Sequence, residues 1–142
     1  MEQELKETTA KTYYDIAEEL FGEEKESWCI IGDSIPCVLT SALFDIPDKA
    51  VRCTSHKQTQ KVIAINCLLN VAKYLNGEWK TDWDDASEPK FSFFIDPTND
   101  LAIVTEYDKL HHIVYFRTKK LAKRAIDILG EDTIRLALST DY

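Results

Sequence analysis

Apolar residues recur at helical spacing over residues 3–21, where Tyr13, Ile16, Ala17, Leu20 and Phe21 share one side while Asp15, Glu18 and Glu19 lie off it. Gly22 then stands where a helix C-terminus favours glycine. A second helix is predicted over 56–75, opened by Ser55 as N-cap and ended before Gly77. Between Val62 and Leu75 its polar residues are Asn66, Asn70 and Lys73, which form one narrow stripe. The pattern therefore predicts a long apolar helix buried on most sides, serving as the spine of the fold or as part of an oligomer interface.

The period then changes to two. Phe91, Phe93 and Ile95 alternate with Ser92, Phe94 and Asp96, and the run Asp96, Pro97, Thr98, Asn99, Asp100 is rich in turn formers. Residues 101–107 read as a second strand, a turn at Asp108 and Lys109 follows, and 111–116 read as a third. Consecutive strands with tight connections predict a three-stranded antiparallel meander. Thr118 caps a helix with Leu121, Ala122, Ala125, Ile126 and Leu129 facing inward, Gly130 stops it, and a last short helix carries Ile134, Ala137 and Leu138. Residues 28–54 are less regular. A short strand fits 28–31 and a turn fits Gly32 and Asp33, while 35–44 reads equally as extended chain or as a helix opened by Ser34 with Pro36 in its first turn. The expected fold is α+β, a single domain over 1–142. Residues 1–54 give a helix and an irregular segment, and 55–142 the apolar helix, the meander and two C-terminal helices.

A chain of 142 residues is long enough to bury a core without a metal or disulfide staple. The N-terminal MEQELKETTAK is charged where a signal peptide needs an apolar core. The longest uncharged stretches, 34–44 and 62–72, are 11 residues each, short of the roughly 18 that a membrane-spanning helix needs. A cytoplasmic protein with no membrane partner is expected. The cysteines at 29, 37, 53 and 67 match no zinc-ligand spacing and read as small core residues.

The net charge of −8 is segregated. Residues 1–27 and 76–110 each hold nine acidic and three basic side chains, while 28–75 and 111–142 are slightly basic. Acidic segments repel phosphate backbones, so direct nucleic-acid binding is not expected, although a net negative charge also serves solubility alone.

The stretch NVAKYLNGEWKTDW (70–83) resembles a segment common in small proteins of phages and prophages from gut bacteria. The stretch VYFRTKKLAKRAIDILGEDTIRLALSTDY (114–142) resembles the tail of the same proteins. The resemblance covers 55–142 and does not extend to 1–54. It implies a source and a lifestyle, with no chemistry and no catalytic residues to carry over.

The segment WKTDWDD (79–85) is the most suggestive. Trp79 and Trp83 could clamp a base, a sugar or a partner's side chain, or they could fasten the loop to the helix end and the sheet. Asp82, Asp84 and Asp85 supply oxygen ligands of the kind calcium takes, but without EF-hand spacing or a turn glycine among them they read as a solvated acidic loop. His111 and His112 are adjacent in a predicted strand, hence on opposite faces and unable to share a metal. No cysteine lies in a recognisable nucleophile motif, and four scattered glycines build no phosphate loop. The basic run Arg117, Lys119, Lys120, Lys123 and Arg124 reads as a solvated helix face or a docking site for phosphates or an acidic protein.

Resemblance and charge together point to a small acidic accessory protein that binds a host or phage protein through Trp79, Asp82, Trp83, Asp84, Asp85 and Glu88. No catalysis, cofactor or metal is expected. One version inhibits a host nucleic-acid-directed defence system, in the manner of anti-CRISPR proteins. The alternatives are a phage assembly protein that forms homo-oligomers through helix 56–75, and a small-ligand or nucleotide sponge.

Overall fold

A computed structural model describes residues 27–31, 35–39, 51–109 and 112–141. The helix expected over 3–21 lies outside them, as do Gly32, Asp33 and His111. The backbone groups into two units, residues 1–59 and 60–142. The first contains β1 (Ser27–Ile31), β2 (Ile35–Leu39) and β3 (Val51–Cys53), an antiparallel sheet of order β2-β1-β3. The ambiguous stretch after Ser34 is thus extended over Ile35–Leu39. Pro36 has no ladder N–H to give, and β2 is an edge strand among the described residues, where a sheet tolerates proline.

Helix α1 (His56–Asn76) opens on a reciprocal cap. The Ser55 hydroxyl accepts from the Gln58 N–H at 3.0 Å, and the Gln58 side-chain oxygen reaches back to the Thr54 N–H at 2.6 Å. The helix ends at Gly77, whose φ of 60° lies in the left-handed region and whose N–H bonds the Lys73 carbonyl.

In the second unit, β4 (Lys90–Ile95) and β5 (Leu101–Glu106) form an antiparallel hairpin, with Phe93 opposite Ile103 and Ile95 opposite Leu101. The Asp96 carboxylate closes the turn by accepting from the N–H groups of Thr98 and Asp100, both at 2.9 Å, and Asn99 takes the positive φ of 67°. Thr118 caps α2 (Lys119–Leu129), accepting from the Leu121 N–H at 3.1 Å, and Gly130 at φ 84° breaks the chain into α3 (Glu131–Leu138). The core joins Ala64, Leu68 and Ala72 of α1 to Phe93, Val114, Phe116, Ala122, Ala125, Ile134 and Ala137. Phe93 and Phe116 meet edge to face at 5.4 Å.

The predicted three-stranded meander does not form. Residues 112–116 are not a strand: Phe116 makes a single bridge to Phe91, on the side of β4 away from β5. The reason lies in side chains that take the backbone carbonyls of this segment. The Ser92 hydroxyl donates to Val114 O at 2.6 Å, and Asn76 Nδ2 donates to Tyr115 O at 2.8 Å. Those carbonyls are therefore spent outside a ladder.

The long apolar helix is also corrected. Helix α1 exists, but apart from Thr59 in its first turn its buried residues are the single stripe Ala64, Leu68 and Ala72. Leu69 is 45% exposed and Tyr74 82% exposed, so an apolar composition did not translate into burial on most sides. With three helices and a two-stranded sheet in this unit, the class remains α+β.

Replacing Leu68 by Ala is expected to destabilise the protein by about 2–5 kcal/mol, and Leu69 by Ala by less than about 1 kcal/mol, in denaturant unfolding. Equal losses at the two positions would contradict the one-sided burial.

Candidate functional site

The acidic loop follows the helix-ending Gly77 and returns to the sheet at Lys90, the first residue of β4, which stands opposite Glu106. Lys90 is fully buried. Its ammonium donates to the carbonyls of Asp85 and Glu88, each at 3.1 Å, and sits 4.9 Å from the Trp83 ring centroid. An ammonium removed from water needs its donors matched, and two carbonyl dipoles with an electron-rich ring face supply that match. The loop is wrapped around the charge that it solvates.

Trp83 is held from the other side by Tyr115, edge to face at 4.8 Å and 77°. Tyr115 in turn packs on His112 at 5.6 Å, and its hydroxyl accepts from the His112 N–H at 3.3 Å. The His112 ring nitrogen Nε2 lies 3.3 Å from Glu106 on β5. Asn76, the last residue of α1, bonds the Tyr115 carbonyl with its amide group and accepts the Arg117 N–H at 3.0 Å. The end of α1, the loop, the 112–116 segment and the start of α2 are thereby fixed to one another.

The loop also carries its own turns. Asp82 Oδ1 accepts from the Asp84 N–H at 3.0 Å. Asp85 Oδ1 accepts from the Ser87 hydroxyl at 2.6 Å and the Ser87 N–H at 2.9 Å. These two bonds, the hydroxyl first, hold the Asp85 carboxyl below its ordinary range against the opposing effect of burial, with smaller contributions from the Glu88 N–H and the Lys90 charge.

Of the six candidate residues, Asp82, Asp84 and Asp85 are exposed, while Trp79, Trp83 and Glu88 are half-buried. Trp83 serves as the wall of the Lys90 cage. Trp79 begins the loop, its N–H bonded to the Asn76 carbonyl at 3.2 Å. Glu88 contributes its backbone carbonyl to Lys90, while its Oε1 is sealed from solvent without a hydrogen-bond partner among the described residues. Among those residues, no group of three or more histidine, cysteine or acidic side chains is placed to hold a metal. No helix among them is long and apolar enough to cross a membrane.

Sequence reasoning passed over Lys90, Tyr115 and Asn76, which build the site. The available signal was a cation heading the run KFSFFI, on the same face of the strand as Ser92. No known protein family, curated protein or solved structure matches the chain.

The depressed Asp85 value gives a pH prediction. A carboxyl with a lowered folded pKa contributes stability that is present above the unfolded value of about 3.9 and is lost as the pH falls through the folded value. Ser87→Ala is expected to move the Asp85 titration, followed by carboxyl NMR shifts, up toward the ordinary range and to shift the onset of acid destabilisation the same way. An unmoved titration would contradict the assignment of Ser87 as the main cause.

Proposed function

We propose that this chain is a small acidic accessory protein of the phage type that acts by binding a protein partner through the 79–88 loop. The observation that carries the reading is the way the loop is built: Asp82, Asp84 and Asp85 are exposed on a backbone anchored from beneath by Lys90. Preorganised carboxylates lose little conformational freedom on binding, and they steer and select a cationic surface more than they add raw affinity. Trp83 and Trp79 border that array with apolar surface. The resemblance of 70–83 and 114–142 to phage and prophage proteins supports a partner in the bacterial host or the phage itself. A cationic groove that normally holds nucleic acid is the surface such an array fits, as in the inhibition of a nucleic-acid-directed defence system.

A second reading, assembly of homo-oligomers through α1, is favoured by the exposure of Leu69 and Tyr74 on that helix.

Asp82→Asn combined with Asp84→Asn tests the first reading without touching the Lys90 cage. A partner recovered from bacterial lysate by the parent protein should bind the double variant at least about tenfold more weakly, and its affinity should depend less on salt. Equal affinity and equal salt dependence would move the contact away from the loop.

A further inference from the structure

A basic run among the described residues is not explained by the acidic loop alone. Arg117, Lys119, Lys120, Lys123 and Arg124 are all exposed, and none of them makes an ion pair among the described residues. Their placement is unfavourable to the helix that carries them. Lys119 and Lys120 occupy the first turn of α2, whose positive dipole end favours acidic side chains. The i, i+4 pairs Lys119 with Lys123 and Lys120 with Arg124 are both like-charged, which destabilises a helix. Asp127, four residues after Lys123 and three after Arg124, offsets part of this, but nothing acidic faces Lys119 and Lys120 in the first turn.

The run adjoins the acidic loop. Trp83, flanked by Asp82 and Asp84, packs on Tyr115, two residues before Arg117. The Arg117 N–H is bonded to Asn76, where the loop departs from α1. The segments that carry the two charged runs thus meet at Tyr115 and Asn76, and among the described residues no ion pair joins the runs. Such a surface is its own complement: a two-fold axis through the seam sets the acidic loop of each copy against the basic helix face of the other and closes the assembly at two. We propose that the 79–88 loop and the outer face of α2 form a self-complementary interface through which a second copy of this chain docks as a two-fold dimer. The pairing relieves the like-charge crowding on α2. It depends on short-range contact, because two chains of net charge −8 repel each other at a distance. A second copy and any other cationic partner of the loop compete for the same Asp82 and Asp84 carboxylates.

Sedimentation of the full chain at about 100 µM is expected to show a dimer in about 50 mM NaCl and a monomer in about 500 mM, where screening is short-ranged. Lys120→Glu with Lys123→Glu gives a copy with two acidic patches, and Asp82→Lys with Asp84→Lys gives one with two basic patches. Each alone should be monomeric, its dimer Kd raised at least about tenfold, and an equimolar mixture should restore a dimer containing one of each. Lys120→Gln with Lys123→Gln, which only removes charge, should weaken the parent dimer in the same direction and keeps the test open if a reversal variant unfolds. A parent protein that stays monomeric at low salt overturns the proposal. So does a dimer that persists at high salt, which would place the contact on an apolar face such as that of α1. Reversal variants that fail to pair overturn it as well. Tight, salt-sensitive binding of a short duplex DNA without self-association would assign the basic face to phosphate and overturn it too.

Discussion

A buried ammonium that must be solvated by the chain itself is the constraint on which the site depends. Lys90 has no exposed surface, and its donors meet two loop carbonyls and a tryptophan face. Leaving those donors unmatched would cost several kcal/mol. The loop therefore cannot relax away from the sheet without exposing the charge or stranding it. The carbonyls of Asp85 and Glu88 turn inward toward Lys90, while the side chains of Asp82, Asp84 and Asp85 are exposed. The Lys90 contacts thus hold the Asp85–Glu88 part of the loop backbone against the sheet.

Tyr115 transmits this arrangement to the rest of the second unit. Its ring supports Trp83 and its carbonyl is held by Asn76, which also receives the Arg117 N–H. One asparagine thus couples the exit from α1, where the acidic loop begins, to the entry of α2, where the basic face begins. Underneath, Phe93 and Phe116 join the sheet to the helices, while Arg135 on α3 reaches the turn between β4 and β5 through the Asn99 carbonyl at 2.8 Å. The acidic loop is consequently carried by regular elements, a condition for presenting charges in a fixed pattern.

The parts legible in the sequence were those governed by local rules. Thr118 and Gly130 bracket α2 because a hydroxyl N-cap and a positive-φ stop act within a few residues. The alternation of Phe91, Phe93 and Ile95 and the turn-forming run after it gave the β4–β5 hairpin for the same reason. The meander failed because alternation over 111–116 says nothing about which groups take the carbonyls, and Ser92 and Asn76, 22 and 39 residues from their acceptors, take two of them. The breadth of the apolar surface on α1 suggested burial on most sides, but how much of it is covered is set by the neighbours available, and Leu69 and Tyr74 have few. The tryptophan spacing located the loop. Lys90 escaped notice because a lysine is ordinarily solvated, and only the fold shows that its solvent is the loop itself.

Hydrogen exchange at the loop amides of Lys90→Met tests this dependence most directly. Met keeps the side-chain volume and removes the three donors. The account predicts that the Ser87 and Glu88 amides, now hydrogen-bonded to Asp85, exchange at least about tenfold faster, while amides of α2 and of β4 beyond its first residues keep their protection. Unchanged protection across the loop would contradict the claim that the buried charge holds it in place.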